Sequence, residues 1–194
     1  SEEGIPIGNG RMGTLVWTTP AAIHLQINRC DVFAVNKHHR AQAQFGTTDY
    51  CGACAQVTIE VGGEVFSPGR DFEQRLSVYD AGVTIVGTDL EVRCFVSAEH
   101  EVLVLEIDDQ RTEPAPLRLT FSHWRPDTVT TGEHTASWEF VDDGQHLVLT
   151  QCFLERDYRC ASAVAAAIVG RDPLTIHRGE HSRVVLVPAR AGTT

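Results

Sequence analysis

The sequence predicts an all-β protein built as an antiparallel β-sandwich. Hydrophobic and polar residues alternate in several separate runs, and this two-residue period is typical of strands with one buried and one solvated face. Turn signals rich in glycine, proline and aspartate lie between the runs, as expected for hairpins. With 194 residues and 42% hydrophobic residues, the chain can bury one large core. We therefore predict a single sandwich domain over residues 1–194.

The strands can be followed along the chain. Alternating runs lie at residues 23–28, 56–61 and 117–122, and turn signals at 62–63, 68–69, 80–82, 114–116 and 142–144. Residues 102–107 and 184–187 are continuously apolar, which is typical of strands buried on both faces. The alanine-rich segment 161–170 has helical propensity, but it ends in Ile168 and Val169, so we predict a strand there. Residues 35–55 lack periodicity, which predicts a long loop that contacts a ligand or partner.

The charge excludes two classes of partner. The formal net charge is -10, whereas nucleic acids and anionic membranes need a clustered basic face. The one locally basic segment, residues 37–40, is too short to provide such a face. The sequence also lacks a run of eighteen apolar residues that could cross a bilayer. We predict neither a nucleic-acid partner nor a membrane partner.

Six cysteines leave several interpretations open. Cys30, Cys94 and Cys152 have apolar or alternating neighbours, which indicates buried thiols. Cys51 and Cys54 form a single CxxC pair. This pair could hold zinc with two further ligands from His38, His39 or Asp49, act as a redox pair, form a disulfide or simply pack in the core. A lone CxxC outside a βαβ unit favours packing or a disulfide, so we predict neither a metal nor a cofactor.

The most informative segment is residues 3–13, which contain four glycines followed by an apolar strand. Glycine-dense turns bring backbone close to a neighbour or ligand, and Asn9 and Arg11 project from this one. Its structural interpretation is a tight turn. The Gly-x-Gly-x-x-Gly spacing of residues 8–13 matches a dinucleotide fingerprint formally, but it precedes a strand instead of opening a helix, so we exclude nucleotide binding.

Residues 6–13 (PIGNGRMG), together with Val16, Trp17 and residues 26–31 (QINRCD), carry a family resemblance. They resemble the start of the N-terminal β-sandwich domain of glycoside hydrolase family 95, the alpha-L-fucosidases and their relatives. Residues 50–54, 75–80 and 106–109 are similar to landmarks of related bacterial proteins instead of true fucosidases. Where fucosidases continue Asn-Glu-Asp-Thr-Leu-Trp, only Asn28 and Asp31 carry over. The similarity runs from residue 4 to about 111 and more thinly to 170.

The resemblance implies a galactose-mutarotase-like supersandwich followed by an (α/α) barrel that holds the general acid and base. No segment of this sequence matches such a barrel. We therefore expect a non-catalytic N-terminal part of a longer glycosidase-like chain, with the barrel and a carbohydrate as partners. The expected substrate-binding residues are Asn9, Arg11, Trp17, Asn28 and Asp31. Asn9, Arg11, Asn28 and Asp31 are expected to form one polar cluster at an end of the sandwich, with Arg11 as its anchor.

Catalysis within these residues is not predicted. Glycoside hydrolysis needs two carboxyl groups about 5–10 Å apart, whereas the paired acids at 2–3, 108–109 and 142–143 are adjacent and would point to opposite faces of a strand. Three alternatives stay open. They are a stand-alone carbohydrate-binding module that uses Tyr50, Trp17, Trp124 or Trp138, a sugar epimerase that uses His100, His123 or His134, and a metal- or redox-responsive protein built on the CxxC pair.

Overall fold

The computed structural model describes residues 4–34, 50–69, 71–131, 133–142, 146–170 and 174–189, and at residues 34, 50–52, 131 and 142 it describes the backbone alone. Throughout these ranges the secondary structure is β, which confirms the predicted all-β class. The strands are β1 (Ile5–Gly8), β2 (Met12–Thr19), β3 (Ala22–Ala34), β4 (Tyr50–Glu60), β5 (Glu73–Ser77), β6 (Gly82–Gly87), β7 (Leu90–Val96), β8 (Leu103–Asp109), β9 (Leu117–Ser122), β10 (Thr128–Thr131), β11 (His134–Asp142), β12 (Leu147–Glu155), β13 (Tyr158–Ala166), β14 (Thr175–Arg178) and β15 (Ser182–Val187).

The strands form three antiparallel sheets. The largest has seven strands in the order β1-β2-β3-β4-β9-β15-β14, and two four-stranded sheets have the orders β5-β6-β7-β8 and β10-β11-β12-β13. β1 packs against β6 and β7, and β13 packs against β3 and β4. The buried residues of all three sheets belong to one hydrophobic core cluster. The two smaller sheets therefore cover one face of the large sheet, as in a sandwich.

The alternation read from the sequence sets the inner and outer faces. In β3, Ile23, Leu25 and Ile27 are buried, while the polar residues between them are half-exposed. The central strand β12 repeats this pattern, but one of its inward residues is the polar Gln151. Because a side chain with two donors and an acceptor is costly to bury without partners, Gln151 marks a point where the core is built around hydrogen bonds.

The β3–β4 hairpin extends beyond its neighbours and carries the second small sheet. Its register shifts between Ile27 and Asn28 and again between Asn28 and Phe33, which is the signature of a β-bulge. Beyond this irregularity the Tyr158 hydroxyl donates to the Phe33 carbonyl oxygen at 3.0 Å, and the Cys160 thiol donates to the Asp31 carbonyl oxygen at 3.6 Å. The bulge therefore turns the end of β3 toward β13.

Three segments were predicted from local sequence patterns, and the structure agrees with these predictions in part. The strand predicted at 161–170 is confirmed for residues 161–166, which belong to β13, and is wrong for residues 167–170, which follow the end of this strand. The loop predicted at 35–55 is wrong for residues 50–55, which pair with β3 as the start of β4; residues 35–49 lie outside the described ranges. The prediction that residues 102–107 form a strand buried on both faces is wrong. β8 is the edge strand of its sheet, and Val102 is 50% exposed.

The cysteine predictions hold in part. Cys94 is buried, and burial raises the pKa of its thiol to about 12. Cys152 is half-buried. The prediction that Cys30 is buried is wrong, because Cys30 lies within the irregular part of β3, between Asn28 and Phe33, and is exposed. Within the described ranges the structure contains no helix of the length and apolar character needed to cross a bilayer.

Candidate functional site

The glycine turn between β1 and β2 is shaped by Asn9. Its side-chain Oδ1 accepts hydrogen bonds from the backbone N–H groups of Arg11 at 3.0 Å and Met12 at 2.9 Å. Its Nδ2 donates to the Ser97 carbonyl oxygen at 2.9 Å, in the connection between β7 and β8. A Cβ at Gly8 would lie 2.7 Å from the Met12 carbonyl oxygen, so this close approach requires glycine. Asn9 thus fixes the turn and ties the large sheet to the sheet of β5–β8.

Four charged side chains meet beside this turn, and we call them the end cluster: Arg11, Arg29, Asp31 and Glu101. Arg11 Nε lies 3.0 Å from Glu101 Oε1 and 3.7 Å from Asp31 Oδ2. Arg29 pairs with both oxygens of Asp31, from Nε at 2.8 Å and from Nη2 at 2.7 Å, and its Nη1 pairs with Glu101. Each cation therefore contacts both carboxylates, and the cluster joins the β1–β2 turn, β3 and the β7–β8 connection.

The electrostatics of the end cluster suit binding instead of proton transfer. The hydrogen bonds from Arg29 lower the pKa of the Asp31 carboxyl to about 2, and the same contacts raise the pKa of Arg29. A general acid in glycoside hydrolysis needs a raised carboxyl pKa, which is the opposite shift. The Arg11 and Asp31 side chains are 64% and 44% exposed, so solvent screens their attraction and this pair contributes at most about 1 kcal/mol to stability.

The structure brings together three of the five residues predicted to bind substrate. Asn9, Arg11 and Asp31 are linked directly through the turn and the ion pairs. Asn28 lies next to Arg29 in β3, but its side chain donates to the Gln26 carbonyl oxygen at 3.4 Å. Trp17 stacks on His24, with ring centroids 5.3 Å apart, further along the large sheet. The predicted four-residue polar cluster therefore forms around three of its members, and Trp17 lies apart from it.

Sequence reasoning missed Arg29 and Glu101. Arg29 and Asp31 are two residues apart in a strand, so their side chains share a face, and this spacing could have identified the pair. Glu101 is 70 or more residues from its partners in the sequence, and only the packing of β1 on β7 brings it close. No sequence pattern around Glu101 predicts its place in the end cluster.

A second group of polar side chains lies where β9 ends against β12, and we call it the buried polar cluster: His123, Arg125 and Gln151, with Ser162. His123 is 6% and Gln151 3% exposed. Arg125 Nη2 donates to Gln151 Oε1 at 2.9 Å, and Gln151 Nε2 donates to Ser162 Oγ at 2.9 Å and to a β4 carbonyl oxygen at 3.2 Å. The Arg125 backbone N–H donates to His123 Nδ1 at 3.2 Å. The cluster thus fastens the β10–β13 sheet to the large sheet.

Burial determines the charge states in this cluster. Desolvation, with a further contribution from the Arg125 charge, lowers the pKa of His123 to about 4. Desolvation also lowers the pKa of Arg125, yet a guanidinium stays protonated in proteins. Arg125 Nε is buried and has no hydrogen-bond partner among the described residues. The cluster therefore combines a neutral imidazole with a cation whose hydrogen bonds are incomplete.

Other candidates from the sequence have structural explanations. His134 and Glu155 converge as an epimerase would require, but they face each other across β11 and β12 and bond directly, Nδ1 to Oε1, at 2.5 Å. Such a cross-strand pair stabilises the hairpin. His100 lies in the exposed β7–β8 connection.

The metal and redox interpretations stay predictions. Cys54 is buried, and burial raises the pKa of its thiol. The side chain of Cys51 and the residues His38, His39 and Asp49 lie outside the described part of the chain. Among the described residues, histidine, cysteine and acidic side chains form no group of metal-binding geometry.

Replacing Asn9 tests its role in the turn. Asn9→Ala removes one acceptor used by two backbone N–H groups and the donor to Ser97, so we expect a loss of about 1–2 kcal/mol in the free energy of unfolding. Urea unfolding followed by circular dichroism measures it. Asn9→Asp retains the acceptor and removes the donor, so we expect a smaller loss. If both variants lowered the free energy of unfolding equally, the turn would not depend mainly on the Asn9 side-chain acceptor.

The fold and these clusters define the class: an antiparallel sandwich domain whose exposed charged residues converge at one end. The family model DUF5703_N, a domain of unknown function (DUF5703), matches residues 1–153, and the chain belongs to this family. The matched range contains the complete end cluster and the three principal residues of the buried polar cluster. No curated protein matches the chain. The match carries no glycoside hydrolase description, so the resemblance to family 95 stays a prediction.

Proposed function

We propose that this chain is the non-catalytic N-terminal sandwich of a glycoside hydrolase-like protein. In this proposal it supports a following (α/α) barrel and lines part of that barrel's carbohydrate pocket. The observation that carries the proposal is the end cluster, in which two cations and two carboxylates from three separate segments converge on an exposed end of the sandwich. The exposed pairs of Arg11 contribute little to the stability of the isolated domain, so binding explains the position of Arg11 better than folding does.

The exposed cations suit a polar ligand or a partner domain. Arg11 offers five N–H donors in a planar fork and is 64% exposed, so it can reach a sugar hydroxyl or a carboxylate of a docked domain. Arg29 is 20% exposed and is held in place by both carboxylates. When a partner excludes water from such a preorganised group, its interactions strengthen because the local dielectric falls. Arg29 would therefore position the carboxylates while Arg11 makes the contact.

Exposed apolar residues at the same end support a docked domain. β6 begins opposite the end of β7, and β7 ends opposite the start of β8, so the β5–β6 turn and the β7–β8 connection lie at one end of their sheet. Val78 and Tyr79 in that turn are 86% and 99% exposed, and Val102 beside Glu101 is 50% exposed. Apolar side chains next to a charged cluster are typical of an interaction surface.

The test uses the product of the complete reading frame and a panel of aryl glycosides. We expect Arg11→Ala to lower kcat/KM at least about tenfold, equivalent to about 1.4 kcal/mol of transition-state stabilisation. Arg93→Ala is the matched control, because Arg93 is also 64% exposed and pairs with Glu106, on the sheet of β5–β8. We expect kcat/KM of this control to stay within about twofold. Equal effects of the two variants would contradict a role for the end cluster.

A stand-alone carbohydrate-binding module is the second candidate, and Trp124 favours it. The Trp124 indole is 47% exposed and stacks on His123 with ring centroids 4.5 Å apart. A flat, half-exposed aromatic ring that is held in place suits the C–H groups of a pyranose. Binding of sugars by the isolated chain, with no hydrolysis by the complete gene product, would favour this candidate over the first.

A further inference from the structure

The Arg125 side chain carries a charge that no carboxylate compensates within the described part of the chain. Two other half-buried arginines, Arg29 and Arg111, are each paired with an aspartate. Arg125 instead bonds to the neutral amide of Gln151, and its buried Nε has no partner among the described residues. Burying part of a cation without an anion is costly. This arrangement therefore indicates that a carboxylate from outside the described residues completes it.

The guanidinium is held in a fixed position. Gln151 Oε1 accepts from Nη2 at 2.9 Å, and Gln151 is itself fixed by its two donated hydrogen bonds. The Phe153 ring lies on one side, with the Arg125 Cζ atom 4.9 Å from the ring centroid. A cation that is already ordered loses little further entropy when it binds an anion. Arg125 is thus prepared for a charge-assisted hydrogen bond.

The guanidinium lies over a half-exposed aromatic ring. The Arg125 Cζ atom is 5.6 Å from the centroid of the Trp124 ring. The inner face of Trp124 packs on His123, which stacks in turn on Trp138 at 5.4 Å between centroids. The Trp138 Nε1 donates to the Arg125 carbonyl oxygen at 3.0 Å, which holds the segment after β9 in place. Trp124 is 47% exposed, so this supported indole presents apolar surface next to a positive charge.

We propose that Trp124 and Arg125 form a binding site for a uronate, a pyranose whose ring stacks on the indole while its carboxylate pairs with the guanidinium. A neutral sugar would use the indole alone, and a simple carboxylate would use the guanidinium alone. The choice of a sugar as the carrier of the carboxylate rests on the proposed carbohydrate function. The site itself is separate from the end cluster and lies in the segment that follows β9.

Calorimetric titration of the 194-residue chain with methyl β-D-glucuronide and methyl β-D-glucoside tests this site, since the two probes differ only at the C6 carboxylate. We expect the glucuronide to bind at least about tenfold more tightly, and we expect added salt to weaken its binding. Trp124→Ala should weaken both ligands, and Arg125→Gln should remove the difference between them. Arg125→Lys keeps the charge without the fork, so it should retain part of the preference.

Arg93→Gln is the control for a general loss of positive charge and should leave the preference unchanged. Thermal melting confirms that each variant is folded; if Arg125→Gln does not fold, Trp124→Ala and Arg125→Lys still decide the outcome. Equal binding of the two probes, no binding of either, a preference that stays at full strength in Arg125→Lys, or binding of both probes that Trp124→Ala leaves unchanged would overturn the site. The proposed function has its own test, which is the effect of Arg11→Ala on hydrolysis. Either proposal can therefore fail while the other holds.

Discussion

Phe121→Ala is expected to lower the free energy of unfolding by about 3–5 kcal/mol, because it leaves a large cavity between two sheets. Phe121 is fully buried in β9 of the large sheet. Its ring contacts Phe140 of β11 edge to face, with centroids 5.8 Å apart. The variant therefore removes both the buried area and a contact that joins the large sheet to the β10–β13 sheet. Urea unfolding followed by intrinsic fluorescence and circular dichroism measures the change.

Tyr79→Ala is the matched control, since it removes an aromatic side chain of similar size that is 99% exposed. We expect the control to change the free energy of unfolding by no more than about 0.5 kcal/mol. A loss below about 1 kcal/mol for Phe121→Ala would mean that the two sheets are not held together through this contact.

Acidification is expected to destabilise the protein through His123. The pKa of His123 falls from an unfolded value of 6.5 to about 4 in the fold, mainly because burial disfavours the charged imidazole. The unfolded chain therefore binds more protons between these values, and stability is lost as the pH falls through 6.5 toward 4. A difference of this size corresponds to as much as about 3 kcal/mol. Unfolding free energies measured at half-unit steps from pH 7 to 4 give the slope.

His123→Gln supplies the control for this prediction, because glutamine keeps hydrogen-bonding groups but does not titrate. The other charged or titratable side chains close to His123 are Arg125 beside it, Cys54 of β4 near Arg125, and His181, which contacts the Trp138 ring that stacks on His123. We expect the variant to lose most of the slope between pH 6.5 and 4. A slope that persists at full size would assign the effect to other groups, and a proton NMR titration of the His123 ring would then show a midpoint well above 4.

Local patterns were sufficient to predict the fold class and part of the end cluster. Alternation in β3 and β4 identified the inward residues, because successive side chains of a strand point to opposite faces. The glycine turn placed Asn9 and Arg11 together because both belong to one short segment. The bulge in β3 was not visible in the sequence, yet it explains why Cys30 is exposed and why Asp31 turns toward the end of the sandwich.

Long-range packing accounts for what the sequence could not predict. Glu101 joins the end cluster only because β1 packs on β7, and Gln151 meets Arg125 only because the β10–β13 sheet packs on the β3–β4 hairpin. Trp17 follows the glycine turn closely in sequence. A strand rises about 3.3 Å per residue, however, so the five residues of β2 after Met12 place Trp17 about 16 Å along the strand from the turn. Nearness in sequence is therefore a poor guide to a shared site within strands.

The two clusters give the domain two separable surfaces. The end cluster is an exposed set of ion pairs next to apolar side chains, which suits a partner domain. The buried polar cluster supports an exposed indole and an uncompensated cation, which suits a small anionic ligand. Both lie mainly within residues 1–153, the range that the DUF5703_N model matches. Variants of Arg11 and Arg125 can therefore be examined independently, because the two sites share no side chain.

The most direct measurement is hydrolysis of a panel of aryl glycosides, including an aryl alpha-L-fucoside, by the product of the complete reading frame and by the 194-residue chain. A supporting sandwich predicts that the complete product hydrolyses at least one substrate and that the 194-residue chain hydrolyses none. A longer product without glycosidase activity, or activity in the 194-residue chain alone, would contradict the proposed function.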